Sequence, residues 1–346
     1  VKIIDVIGPA VFFDTANRWS DIMPGNPSHD AEAGTVGPHA AIAIADDRER
    51  FTAELFDALW SRYRGRVGYV GDYERIVHEA GATFVNDHIA LRTFACQQPL
   101  TGIASIARLF EALGYASAGC YNFSNKHLSA IHLQHANSEF PKVFISELRA
   151  WELGPAAQQI IQKIVGSHRP AIGVEALAAV SNLAVGEAEN RQALLDSVVA
   201  QFHELPWDAP EKSDVVALND ESQYAAWVAV HGYNVNHFTS LINSHGIESL
   251  GDIEKTVDAL RKAGVPMKVE IEGTPGSKLR QTATEAAVID VAVRENGQDT
   301  VMQWTYAYME LAERGDVADP ETGKPARFEG FLGPQATHLF EMTKRK

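Results

Sequence analysis

Positive charge and cysteine are what this chain has least of. Its 346 residues carry 30 Lys and Arg against 45 Asp and Glu, a formal net charge of −15. Proteins that track nucleic-acid phosphates need clustered cations, so this balance argues against nucleic acid as a partner. An anionic ligand would need a local positive site inside a negative envelope. The two cysteines, Cys96 and Cys120, are too few for a disulfide framework and lack the paired spacing of a zinc knuckle. They read as reduced thiols of a cytoplasmic protein. Long apolar runs are missing as well: no stretch reaches the roughly 18 residues of a membrane span, and no basic segment followed by an apolar one opens the sequence. Neither membrane nor secretion is expected.

What remains is ordinary globular material, 45% hydrophobic and 22% charged, enough to bury a core. Residues 1–46, rich in Gly, Pro and Ala around PGNPSHDAEAGTVGPHAAIAIAD, are expected to be an irregular lead-in. The informative feature is a repeat. FVNDHIALRTF at 84–94 recurs in degraded form as YNVNHFTSLI at 233–242. From His88 to Gly114 is 26 residues and from His237 to Gly264 is 27, each interval holding a helix-like stretch that ends in glycine. Self-similarity at long period signals duplication, and equivalent histidines in a paired sheet can face each other across one cavity.

The expected fold is therefore α+β, two βαβββ modules forming one curved sheet with an added helical region. Phe51, Leu55, Leu59 and Tyr63 make a helical stripe over 47–64, and GDYERIVHEAG continues it. Residues 84–94 read as a strand, 101–114 as a helix and 119–149 as two or three strands, so that 47–155 forms a helical start plus the first module. The Ala- and Leu-rich stretch 156–205 reads as two or three helices within an insertion over 156–225. The second module and a closing segment take 226–346, with a strand over 226–242, a helix over 249–264 (Leu250, Ile253, Val257, Leu260) and strands over 267–314. Asn296-Gly297 between alternating segments is a hairpin signal.

Alternation on a strand puts His88, Ala90 and Arg92 on one face and Ile89, Leu91 and Thr93 on the other. By the same parity His237, Thr239 and Leu241 share a face. A lone strand histidine is more often a satisfied structural residue than a ligand, but two at equivalent places shift the odds toward a shared metal. The third ligand is expected to be Glu310, which shares a face with Tyr308 and Ala312 in an apolar strand where an unpaired charge is costly. Arg314 at the strand end is the alternative partner for that carboxylate. Glu147 of FISELR, at the comparable late position of the first module, is its rival as ligand. Two imidazoles and a carboxylate leave coordination positions open, the arrangement of non-haem Fe(II) oxygen chemistry. In LRQTAT, Arg280, Thr282 and Thr284 oppose Gln281 and Ala283, and Arg280 or Gln281 is a candidate for substrate binding. Lys126, His127, His132 and His135 of KHLSAIHLQH read as surface or supporting groups, and His231 as a supporting partner on the strand of His237.

DHIALRTF, the later NHFT, LRQTAT and the YMELAER ending resemble the 2-oxoadipate dioxygenase/decarboxylase (hydroxyglutarate synthase) family, relatives of the vicinal-oxygen-chelate, glyoxalase-like superfamily. The resemblance covers roughly residues 50–346. It implies Fe(II) held by His88, His237 and Glu310, and a substrate carboxylate held by Arg92. A strand separation of four residues, about 13 Å, suits an arginine gripping the far end of a dicarboxylic acid. The implied reaction converts 2-oxoadipate and O2 to 2-hydroxyglutarate and CO2, in lysine catabolism. The family's substrate contacts beyond the glutamate strand have no secure counterpart here, but the segment FEGFLGPQATHLFEMTKRK is expected to close the cavity, with Gln335, Ala336 and Thr337 near the substrate. The rival enzyme is a glyoxalase-like isomerase or lyase using Zn2+ or Ni2+, and the rival without chemistry is a metal-free small-molecule-binding protein.

Overall fold

The computed structural model describes residues 37–96, 101–170, 172–183, 188–319 and 321–332. The lead-in is thus seen only at its end, where Pro38–Ala41 forms a 3-10 turn. Helix α1 (Asp47–Arg66) starts at Asp46, whose carboxylate accepts the Glu49 N–H at 2.8 Å. Its Phe51, Leu55, Leu59 and Tyr63 are all buried, as the stripe requires. Helix α2 (Tyr69–Glu79) follows.

The first module runs β1 (Asn86–Ala95), α3 (Ile103–Ala112), β2 (Tyr115–Phe123), β3 (Leu128–His135) and β4 (Lys142–Arg149). Five helices then intervene: α4 (Pro155–Val165), α5 (Val174–Ser181), α6 (Ala188–His203), α7 (Lys212–Glu221) and α8 (Gln223–His231). The strand expected from residue 226 begins later. Residues through His231 are helical, Gly232 turns the chain at φ 58°, and β5 spans Val235–Leu241. Every residue from Tyr224 to His231 is buried, so hydrophobicity has no period to distinguish helix from strand. His231 therefore sits on a helix, its Nε2 2.9 Å from the Thr305 carbonyl, and not on the strand of His237.

The second module continues with α9 (Ile253–Lys262), β6 (Leu279–Ala283), β7 (Val288–Glu295), β8 (Gln298–Thr305) and β9 (Glu310–Arg314), followed by a small ribbon of β10 (Asp316–Ala318) and β11 (Pro325–Arg327). One sheet of seven strands runs β2-β3-β4-β1-β5-β9-β6. At its centre β1 and β5 are antiparallel, and each has a parallel outer neighbour, β4 and β9. This is the expected α+β pairing of two modules in one sheet. The second module departs from the first in two respects. The segment before β6, broken by Pro266, Gly273, Pro275 and Gly276, pairs only through the isolated bridges Met267–Thr284 and Glu272–Gln281, because proline and glycine disfavour a continuous ladder. The β7–β8 hairpin, turned by Asn296 at φ 53° and Gly297 at φ 76°, forms a separate two-stranded sheet.

The repeat is visible in detail. Gly114 and Gly264 end α3 and α9 at φ 97° and 86°, the left-handed conformation that glycine adopts without a Cβ penalty. At the other ends of the same helices, Glu147 accepts the Ile103 N–H at 2.8 Å and Glu313 accepts the Ile253 N–H at 2.7 Å. Glu147 is thereby committed to the start of α3, away from the cavity, and its counterpart in the second half is Glu313.

Candidate metal centre

One ligand atom each from His88, His237 and Glu310 lie within 4.8 Å of one another, and all three residues are buried. His88 Nε2 is 3.4 Å from Glu310 Oε1, and His237 Nε2 is 3.6 Å from Glu310 Oε2. Two donors about 2.1 Å from one divalent ion stand roughly 3.0–3.5 Å apart at right to tetrahedral angles, so these separations fit a shared ion.

The strand pairing explains how the imidazoles are aimed. Between Asn86 and His88 the β1–β5 register slips at Asp87, and between Ala90 and Leu91 it slips opposite Asn236. Each irregularity places an extra residue immediately before a histidine, and a bulge re-aims the side chain it carries. Asp87 Oδ2 lies 2.8 Å from His88 Nδ1, and Asn236 Oδ1 lies 3.1 Å from His237 Nδ1. An ionised carboxylate only accepts, so His88 carries its proton on Nδ1 and turns a lone pair on Nε2 toward Glu310. The Asn236 oxygen does the same for His237. Burial pushes both histidines below their ordinary pKa, His237 well below, and the Asp87 contacts only partly restore His88. Both are neutral imidazoles near neutral pH, as metal ligands must be.

Glu310 is fully buried, and burial pushes its pKa up to about 8, with Glu272 adding to the rise. Thr239 and Gln281 donate to Oε1 at 3.2 and 2.7 Å, and the same Thr239 hydroxyl is 3.0 Å from His88 Nε2. Oε2, by contrast, has no hydrogen-bond partner among the described residues. A buried carboxylate oxygen without a donor, facing two imidazole lone pairs, is a donor set suited to a cation.

His88 and His237 line a pocket together with Ala90, Arg92, Phe144, Ser146, Gln281, Tyr308, Phe331 and Leu332. Arg92 is 2% exposed. Its guanidinium lies 5.0 Å from the Tyr224 ring centre and 5.2 Å from that of Trp227, both on α8, so the helical insertion builds the floor on which the cation rests. Tyr308 stacks on His237 with 4.8 Å between ring centres and also hydrogen-bonds Arg92.

Of the other residues singled out in the sequence, Gln281 reaches the centre and Arg280 does not. Parity puts them on opposite faces of β6, and Arg280 is paired with Glu254 and with Glu313 at 3.4 Å beside α9. Arg314 is not the partner of Glu310: its guanidinium grips Asp87 at 2.5 and 2.7 Å. His132 hydrogen-bonds Tyr121 at 2.9 Å, and His127 pairs with exposed Glu152. Gln335, Ala336 and Thr337 lie outside the described residues. Sequence reasoning missed Asp87 and Asn236, which precede the two histidines, as well as Tyr224 and Trp227; Thr239 it placed on the face of His237 without giving it a role.

Paired modules sharing one sheet around a His-His-Glu cluster define a protein of glyoxalase-like fold with a candidate metal centre. The chain belongs to the 2-oxoadipate dioxygenase/decarboxylase family, whose model matches residues 56–326. It is 30% identical over 338 residues to a chloroplastic/amyloplastic 2-oxoadipate dioxygenase/decarboxylase of Oryza sativa subsp. japonica, covering 90% of this chain and 84% of that one. Among solved structures, the hydroxyglutarate synthase of Oryza sativa in complex with 2-oxoadipate superposes with a TM-score of 0.69 at 25% identity, over 90% of this chain and 98% of that one. A glyoxalase-superfamily protein from Ralstonia eutropha JMP134 shares the fold, with a TM-score of 0.71 at 22% identity over 83% and 87% of the two chains.

Proposed function

We propose that this chain is an Fe(II)-dependent 2-oxoadipate dioxygenase/decarboxylase, converting 2-oxoadipate and O2 to 2-hydroxyglutarate and CO2. The observation that carries the reading is the convergence of His88, His237 and Glu310 beside a pocket lined by both histidines and by the buried cation of Arg92. Bound there, Fe(II) would supply chelation of the 2-oxo acid and activation of O2, with three protein ligands leaving positions open.

The chain's own residues bind, orient and exclude water. Arg92 takes the far carboxylate, and its Tyr224, Trp227 and Tyr308 neighbours fix the guanidinium so that little ordering is left to be done on binding. Asp87 and Asn236 hold both imidazoles with Nε2 forward, while Gln281 and Thr239 hold one oxygen of Glu310 and leave the other for the metal. Phe144, Tyr308, Phe331 and Leu332 line the pocket and keep water from the reacting end. A cytoplasmic setting and a place in lysine breakdown belong to this proposal. Among the described residues no helix is long and apolar enough to cross a membrane, and the Oryza relative is named as a plastid protein. The test is O2 uptake by anaerobically Fe(II)-loaded protein on addition of 2-oxoadipate, with mass analysis of the product.

A further inference from the structure

Arg314 is buried and uses its whole guanidinium. Nε and Nη2 donate to the two oxygens of Asp87 at 2.5 and 2.7 Å, while Nη1 donates to the carbonyls of Phe328 and Gly330 at 2.8 and 2.9 Å. The same Asp87 holds His88 Nδ1. One side chain thus joins the group that orients a candidate metal ligand to the backbone of the segment after β11. Lys142 makes a second tie between the same two parts, 2.5 Å from Glu329 and 3.8 Å from Asp87.

The tethered segment carries Phe331 into the pocket wall. Its ring meets His88 edge-on with 4.9 Å between centres, lies 5.1 Å from Phe144, and has the Arg314 guanidinium 5.4 Å from its centre. His88 is therefore held twice, by Asp87 at Nδ1 and by Phe331 against its ring, and Arg314 touches both holders. Any rotation of the imidazole that improves its aim at an ion is felt by Asp87, by Arg314 and then by residues 328–331. A residue tied into two elements in this way biases both toward one arrangement.

We propose that Arg314 is a positioning residue that couples the aim of His88 to the seating of residues 328–332 over the pocket, so that metal binding and closure of this wall favour one another. The proposal rests on the metal centre described above. Linkage makes the coupling reciprocal: the factor by which metal stabilises the seated segment equals the factor by which the seated segment tightens metal binding. Loss of the outer partner of a metal-bound histidine commonly weakens metal binding by about 10- to 100-fold, which sets the scale.

The experiment measures Co2+ affinity and the visible spectrum of the Co2+ protein, together with hydrogen exchange of the peptide covering 325–332, with and without Co2+. In the unaltered protein Co2+ is expected to slow exchange in this peptide by about ten-fold or more. Asp87→Asn keeps an oxygen for His88, as Asn236 does for His237, but removes the ion pair, so it should bind Co2+ and lose the metal-dependent protection. Because that change leaves a buried cation without its carboxylate, Glu329→Gln serves as the milder variant: it weakens the Lys142 tie and the local pair with Arg327 while leaving the Arg314–Asp87 pair in place, and should lower Co2+ affinity and protection by matching factors. Arg314→Lys, which keeps the charge but not the fork, should shift the Co2+ spectrum and loosen the segment. Co2+ binding with exchange unchanged in the unaltered protein, or full metal-dependent protection in both Asp87→Asn and Glu329→Gln, would overturn the coupling. Failure of the unaltered protein to bind Co2+ would instead overturn the metal centre itself.

Discussion

Phe144 and Glu310 occupy the same place in the two halves of the sheet. Ala90 pairs with Phe144 and Thr239 pairs with Glu310, and Ala90 and Thr239 each stand two residues beyond a histidine of the cluster. Both side chains face the centre, one as a ligand candidate and one as an apolar wall 5.1 Å from the Phe331 ring. The duplicated architecture thus offers two pairs of equivalent positions, and this chain fills three of the four with candidate metal ligands. The fourth is closed by the Phe144 ring, which cannot coordinate and which lines the pocket.

Phe144→Glu places a carboxylate at that fourth position. The expected outcome is a protein that still binds one divalent ion but has lost O2 uptake with 2-oxoadipate, since a group needed for reaction is displaced by a protein ligand. Metal stoichiometry by dialysis and an oxygen electrode check it; turnover near the unaltered level would show that the position is not available to the metal.

Arg92→Ala removes the cation from the pocket wall without touching the cluster. A buried charge-assisted pair with a carboxylate is worth about 2–5 kcal/mol on truncation, so KM for a dicarboxylic 2-oxo acid should rise by about 30-fold or more with metal content unchanged. Arg92→Lys should recover little, because an ammonium does not reproduce the planar fork. Steady-state kinetics beside metal analysis separate the two roles.

Gln281→Leu withdraws the 2.7 Å hydrogen bond to Glu310 Oε1. Metal affinity should fall by about 10- to 100-fold, the usual effect of losing a partner of a ligating carboxylate. Competition with a chromophoric chelator gives the number, and an unchanged affinity would assign Gln281 to another task.

Acid should destabilise the fold through histidines buried in neutral form. Burial depresses His231 to about 3 against 6.5 in the unfolded chain. The unfolded state therefore binds a proton that the folded state refuses, so its contribution is complete above pH 6.5 and is lost as pH falls toward 3. His203, lowered mainly by burial, acts in the same direction. Urea unfolding between pH 7 and 5 should show stability falling with acidification, and His231→Gln should reduce the slope by up to about 1.4 kcal/mol per pH unit. A slope identical in both proteins would place the acid sensitivity elsewhere.

Much of the centre was legible because a repeat makes a weak signal twice. A histidine followed at matched distance by a helix-ending glycine pointed to His88 and His237, and an acidic residue in an apolar strand made Glu310 the leading third candidate, with Glu147 as its rival. Parity placed Arg280 and Gln281 on opposite faces of β6 but could not say which face was inward; that depends on the antiparallel pairing with β9. The bulges at Asp87 and Asn236 exist only relative to a neighbouring strand, so the residues that aim the histidines had no positional signal of their own. Tyr224 and Trp227 were hidden for another reason: a fully buried helix carries no amphipathic period, and its end at His231 was read as the start of a strand.

The most direct test is to load the protein anaerobically with Fe(II), add 2-oxoadipate, and follow O2 consumption together with the mass of the organic product. The account predicts one O2 consumed for each 2-hydroxyglutarate and CO2 formed, with no uptake when His88, His237 or Glu310 is replaced by Ala. Bound iron with no O2 consumption, or conversion of 2-oxoadipate that proceeds equally well without O2, would contradict it.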